Sequence, residues 1–343
     1  MGWVAVVAAA GVLAALVAGC GGGSSSSSST TSEATTASEG TTLAYISPVA
    51  STEGQHQLIE AIERAGKEAG WSVDVLDSDS SPDKQVSNVE LAINKGYDAI
   101  ASWSLDPNAV AGAYEEAQQK GIPVIGLNSK SPGGGLTTTI WYEHQLCEPD
   151  GPEAISAEKI AEIHPHAKTL MIGDEVAEST KELSDCFTKE AKRAGLEIIG
   201  TGNNEGGTTS TGQTVFEPLF TKFPEVEAVW CFNDESAIGV SNVLTAAGKQ
   251  IATTEKPEGI VVTGTNGEPT GIEAVEDNRI SWTWEHDSAA AGFAVVKAAQ
   301  GALEGKKLQE EVIPSLFISD ETIGEYVEPA KRPYSLNNFP LKE

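Results

Sequence analysis

The chain has 343 residues, and its 50 Asp and Glu against 22 Lys and Arg leave a formal net charge of −28. A field of that sign repels phosphate backbones and anionic bilayers. It excludes nucleic acid as a partner and leaves a membrane contact only through a covalent anchor. The four cysteines and five histidines fall in no spacing that reads as a zinc site, so neither metal nor cofactor is expected.

In chain order, the first element is an apolar run from Val4 to Ala18, closed by Gly19 and Cys20. A membrane-spanning helix wants about 20 apolar residues. This run is shorter and ends in small residues, as the core of a signal peptide does. Val17-Ala18-Gly19-Cys20 resembles the bacterial lipobox, which implies a signal peptide over residues 1–19 and lipidation at Cys20. The leader departs from the usual pattern in having no Lys or Arg in Met1-Gly2-Trp3. Residues 21–42 are mostly Gly, Ser and Thr; they bury too little to offset their ordering entropy, and with Cys20 they form a flexible tether.

From Leu43 onward, short apolar runs alternate with amphipathic ones, the pattern of βαβ units over a parallel sheet. Strands are expected at Leu43–Ile46, Val73–Leu76, Asp98–Ala101 and Pro123–Leu127. The helices between them carry Leu58, Ile62 and Ala65, then Val86, Val89 and Ile93, then Val110, Ala113 and Ala117 on one face. Asp106 and Pro107 open the third helix as cap and first turn. A second series follows, with strands at Thr169–Ile172, Glu197–Ile199, Ala228–Phe232, Ile260–Thr263 and Ile280–Trp284. Its helices are expected at about 179–194, 211–223, 235–247 and 269–277, and an Ala-rich helix at about 287–303 follows the last strand. Two α/β series of similar order predict two doubly wound lobes with a crevice between them. Ligands of open parallel sheets sit beyond the carboxyl ends of the strands.

Of the cysteines in this body, Cys147 and Cys186 occupy loop and helix-start contexts, while Cys231 sits in an apolar strand. In an oxidising compartment Cys147 and Cys186 are the preferred pair, with three free thiols the alternative.

Several stretches resemble the ribose-binding-protein-like branch of the periplasmic binding proteins. They include Val75-Leu76-Asp77-Ser78, Lys120-Gly121-Ile122-Pro123-Val124-Ile125 and the run from Phe232 to Gly239. Ala246-Ala247-Gly248-Lys249, Gly264-Thr265-Asn266-Gly267 and Leu303-Glu304-Gly305-Lys306 continue the series in the same order. The resemblance runs from Leu43 to Leu316. It implies two Rossmann-like lobes with parallel central sheets, joined by a three-crossover hinge and closing on a small solute. The implied lobes are residues 43–141 with 286–317, and residues 142–285 with 318–343. It also implies an ABC importer permease as partner and an extracytoplasmic location. A monomer held to the membrane only by its lipid is expected. The related repressors would carry an N-terminal helix-turn-helix, where this chain has the lipobox and tether.

Carried over position by position, the resemblance places Asn128 and Ser129 where the family has an Asp-Arg pair after the fourth strand. Asn233 retains the Asn of the family's Asn-Asp motif, Asn266 replaces an Asp, and Glu285 replaces a Gln at the last crossover. An expected Arg falls near Leu183 and is absent. An aromatic pair falls among Glu53, Gly54, Gln55 and His56 and is also absent. A sugar site needs polar pairs for hydroxyls and flat faces for C–H groups. Trp103, Trp141 and Trp284 are the stacking candidates at strand ends or crossovers, beside Tyr142 and Trp282. Glu175 joins them as a polar candidate in the loop after Ile172, and Asp234 reads as a helix N-cap. The expected ligand is a sugar or polyol bound by amides, carboxylates and Trp. A cationic solute is the alternative, as is a receptor role for a membrane sensor. No GxSxG elbow, P-loop or histidine cluster supports an enzyme.

Overall fold

The computed structural model describes residues 40–340. The expected signal peptide, the lipidation site Cys20 and nearly all of the tether lie outside them. The tether as drawn from the sequence is slightly too long, because Thr42 already belongs to the first strand.

The chain runs β1 (Thr42–Ser47), α1 (Glu53–Ala69), β2 (Ser72–Asp77), α2 (Pro82–Lys95), β3 (Ala99–Ser102), α3 (Pro107–Gln119), β4 (Val124–Leu127) and β5 (Thr138–Tyr142). A 3-10 turn at Glu143–Leu146 and α4 (Pro152–Ile163) lead into the second series. That series is β6 (Lys168–Gly173), α5 (Glu178–Ala194), β7 (Glu197–Asn203), α6 (Thr209–Lys222), β8 (Ala228–Cys231), α7 (Asp234–Ala246), β9 (Val261–Thr263), α8 (Pro269–Glu276) and β10 (Trp282–Glu285). The closing elements are α9 (Ser288–Leu303), β11 (Glu311–Ile313) and β12 (Leu316–Ser319), then 3-10 turns at Ile323–Glu325 and Pro329–Lys331.

Among the described residues the strands form two six-stranded sheets, ordered β11-β5-β4-β3-β1-β2 and β12-β10-β9-β8-β6-β7. Every pairing is parallel except β10 with β12. These are the two doubly wound sheets that the alternation of apolar runs predicts. The chain passes between them after Tyr142, after Glu285, and between Ile313 and Leu316.

Strand alternation divides each core into two. Leu43 and Tyr45 pack with α1 and α9 on one face of the first sheet, while Ala44 and Ile46 pack with α2 and α3 on the other. In the second sheet Val229 and Cys231 face α6, α7 and α8, and Ala228 and Trp230 face α4 and α5.

The helix punctuation follows the residues. Asp106 Oδ1 accepts from the N–H groups of Asn108 and Ala109 at 2.8 and 3.1 Å, and Pro107 opens the first turn of α3. α1 stops at Gly70, whose φ of 74° suits a residue without Cβ. Cys147, after the 3-10 turn, is bonded to Cys186 of α5, and Cys231 stays a free, buried thiol.

Candidate functional site

The carboxyl ends of the two sheets face each other across a cavity of about 110 Å³. Its wall includes Gln55, Trp103, His144, Gln145, Asp174, Phe232, Asn233, Asn266 and Glu268. That volume lies well under the ~300 Å³ at which drug-sized pockets begin, so it suits at most a single ring.

Contacts between the two halves close the rim. Trp103 Nε1, beyond β3, donates to Ser179 Oγ of α5 at 3.1 Å, and the Glu178 N–H donates to the Leu105 carbonyl at 2.9 Å. On the other side the Gly54 N–H of α1 donates to Glu268 Oε1 at 3.2 Å. Lys130 pairs with Glu182, and the Thr270 hydroxyl donates to Glu53. This is a closed arrangement.

Of the residues singled out in the sequence, Trp103, Asn233 and Asn266 stand on the wall. Asn233 is also the N-cap of α7: its Oδ1 accepts from the Ser236 N–H at 2.9 Å and its Nδ2 donates to the Gly207 carbonyl at 2.7 Å. The expected cap Asp234 is therefore displaced by one residue. Asp234 instead accepts from the Glu268 N–H at 2.8 Å, tying the start of α7 to the start of α8. Asn266 has a φ of 106°, and it bridges Glu268 Oε1 at 3.0 Å and the His286 ring at 2.7 Å. The following Gly267 is required, since a Cβ there would lie 2.3 Å from Glu285 Cβ.

The other expected residues do not line the cavity. Asn128 braces the next strand, its Oδ1 accepting from the Tyr142 N–H at 2.8 Å. Trp141 alternates away from Ile140 and Tyr142 in β5 and donates to Glu310 at 3.1 Å. Trp284 lies in the core beneath α4 and donates to Ser156 Oγ at 2.8 Å, beside Trp282 on the same face. Glu175 is exposed, and its neighbour Asp174 is the one on the wall. Glu285 sits at the crossing from β10 to α9, where Arg332 engages both its carboxylate oxygens at 3.0 and 2.9 Å. Its carboxylate is thus engaged by Arg332 of the C-terminal segment, away from the cavity wall.

Gln55, His144, Gln145, Asp174 and Glu268 are wall residues that the sequence reading did not select. His144 and Gln145 lie in the 3-10 turn just after β5 and Asp174 directly follows β6, so the strand-end rule could have found them. Gln55, near the start of α1, accepts from Tyr45 Oη at 2.7 Å and Ser47 Oγ at 3.1 Å. No sequence signal marks Glu268, two residues beyond Asn266 and buried only by the meeting of α1, α7 and α8.

Burial governs the electrostatics. It pushes Glu268 and Asp234 well above the usual carboxylate range; the Asp234 charge raises Glu268 further, and Glu53 raises both. Glu235 is raised to about 7, first by burial and then by Glu53. His144 is pushed down to about 3 by burial, and His286, tilted against it at 4.3 Å between ring centres, is also lowered, so both rings are neutral. Among the described residues no group of His, Cys, Asp and Glu has the arrangement of a metal site.

Residues 43–307 match the family described as periplasmic binding protein domain. The chain belongs to that family. This periplasmic binding protein is 27% identical over 265 residues to the ribose import binding protein of Bacillus subtilis, covering 77% of this chain and 82% of that one. It is 24% identical over 301 residues to the D-allose-binding periplasmic protein of Escherichia coli, covering 84% and 94%. The Caulobacter myo-inositol binding protein, solved with myo-inositol, has the same fold, with a TM-score of 0.75 at 17% identity over 85% of this chain and 97% of that one. These relatives are binding proteins, in keeping with a periplasmic binding protein that is not an enzyme.

Proposed function

We propose that this chain captures a small sugar or polyol between two closing lobes outside the cytoplasm and presents it to the permease of an ABC importer. The observation that carries the reading is the cavity shut between the carboxyl ends of two parallel sheets, with amides, carboxylates and Trp103 on its wall. The sugar-binding names of the relatives support the solute class. In this reading residues 43–141 with 286–317 move as one lobe and residues 142–285 with the C-terminal segment as the other. A solute that bridges them stabilises the closed state through contacts the open state lacks. Lipidation at Cys20 and the tether hold a monomer at the membrane.

The test is a thermal-shift screen of the purified protein against monosaccharides and cyclitols, followed by calorimetry on each hit. Binding of a single-ring solute at one site per chain is the expected result. A protein that binds no such solute, or that turns one over, overturns the reading. For the anchor, Cys20→Ser moves the protein from the membrane fraction to the soluble one.

A further inference from the structure

Several atoms on the cavity wall have nothing to satisfy them. Glu268 is 1% exposed, and its Oε1 is engaged by the Gly54 N–H and Asn266 Nδ2, while its Oε2 has no hydrogen-bond partner. Gln145 and His144 line the same cavity, and Gln145 Oε1 and His144 Nδ1 also lack a partner. A buried acceptor left in this state needs a donor from whatever the site takes.

The charge balance narrows what that donor is. Asp174 and Glu268 lie on the wall, and no Lys or Arg does. Behind Glu268 stand Asp234 and Glu235 from α7 and Glu53 from α1, all raising its proton affinity. His286, reached through Asn266, is neutral and supplies no counter-charge. Arg332 is committed to Glu285 and Asp287. Trp103 and Phe232 add aromatic faces to the wall, which attract cations.

We infer that the solute is a single sugar or cyclitol ring carrying a protonated amine, seated with its ammonium on Glu268 Oε2. This rests on the cavity being the solute site, as proposed above, and specifies the chemistry it selects. An ammonium supplies three donors for acceptors such as Glu268 Oε2 and Gln145 Oε1. It also neutralises a carboxylate that nothing else on the wall neutralises.

The exchange has a proton signature. Burial, Asp234, Glu235 and Glu53 all raise the proton affinity of the Glu268 carboxylate while it has no counter-charge. Pairing with an ammonium favours the ionised carboxylate, so where Glu268 carries a proton its O–H bond breaks, the proton leaves to solvent, and an N–H···O ion pair takes its place. Amine binding therefore releases protons and tightens as pH rises, until the amine itself deprotonates.

The test uses calorimetry of the full mature protein with glucosamine, galactosamine, mannosamine and an aminocyclitol, each beside its hydroxyl parent. At least one amine is expected to bind about tenfold or more tightly than its parent, the discrimination a buried charge pair can give. Titration in two buffers of different ionisation enthalpy should show proton release for the amine and none for the parent. Glu268→Gln should bring amine and parent to near parity while leaving the circular-dichroism spectrum unchanged. The unmutated protein's proton release decides the matter independently should that variant fold poorly. Parents that bind as tightly as their amines overturn the inference and leave the sugar reading standing. Failure of both classes overturns both.

Discussion

Arg332 donates to both carboxylate oxygens of Glu285, at 3.0 and 2.9 Å, and pairs with Asp287 at 2.7 Å. The Tyr334 hydroxyl also donates to Asp287. The C-terminal segment is thereby pinned to the crossing at which the chain leaves β10 of one sheet for α9 packed on the other.

Removing that pin is costly because Glu285 is 2% exposed. Arg332→Ala should lower the unfolding free energy at pH 8 by about 3–5 kcal/mol, the usual consequence of leaving a buried charge without its partner. Arg332→Lys should recover little, since an ammonium cannot match both oxygens. Urea unfolding reads both. Burial raises Glu285 to about 7 against the pull of Arg332, so the loss should shrink at pH 5, where the carboxyl can accept a proton. An equal loss at both pH values would contradict this account.

Glu153 gives stability a pH slope. It is 2% exposed and accepts from Trp230 Nε1 at 2.8 Å, and burial raises it to about 8 against that hydrogen bond. Its folded value lies above the ordinary 4.5, so the unfolded chain releases the proton first. Its contribution is whole below about pH 4.5 and is lost as pH rises to about 8, at about 1.4 kcal/mol per unit. Glu153→Gln should flatten this part of the unfolding profile between pH 5 and 8. A variant with the parent's slope would show that Glu153 is ionised throughout.

The Trp103–Ser179 bond spans the cavity rim. Ser179→Ala removes one hydrogen bond worth about 1 kcal/mol, so solute affinity should fall about fivefold. Trp103→Ala removes the aromatic wall as well and should cost more than about 30-fold. Titration calorimetry with any solute that binds the parent is the measurement. Unchanged affinity in Trp103→Ala would take Trp103 out of the site.

The disulfide between Cys147 and Cys186 closes a loop with a sequence separation of 39. Replacing both cysteines by Ser should lower the unfolding free energy by about 4 kcal/mol, on chain-entropy grounds. The bond also anchors the turn that carries His144 and Gln145 to α5. Solute affinity should therefore drop with stability in the double variant. Equal unfolding midpoints with and without reductant would sink the first expectation.

The βαβ series was legible because period-two strands and helical faces are local properties. Leu43 and Tyr45 declare one face of β1, and Leu58, Ile62 and Ala65 one face of α1. The short strands β11 and β12 carry too few residues for a period to show. α4 is not expected from the sequence, because the face it buries mixes Glu153 and Ser156 with its apolar residues.

For the candidate site, Trp103 at a strand end and Asn233 and Asn266, placed by the family resemblance, all stand on the cavity wall. Trp141, Trp284 and Glu285 sit at equally plausible ends and are drawn elsewhere, to Glu310, Ser156 and Arg332. Those partners are 169, 128 and 47 residues distant in the chain, beyond the reach of any local pattern.

Taken alone, the residues determined two parallel sheets, their helix caps, the acidic charge and the rim at which a ligand would be sought. Only the tertiary structure decided which side chains face one another across that rim. It buried Glu268 beside Asp234 and Glu53, and it committed the Arg332 guanidinium to the hinge. Backbone periodicity sets the first kind of information within a few residues. Burial, which sets the charge and hydrogen-bond needs of a site, exists only once distant segments have met.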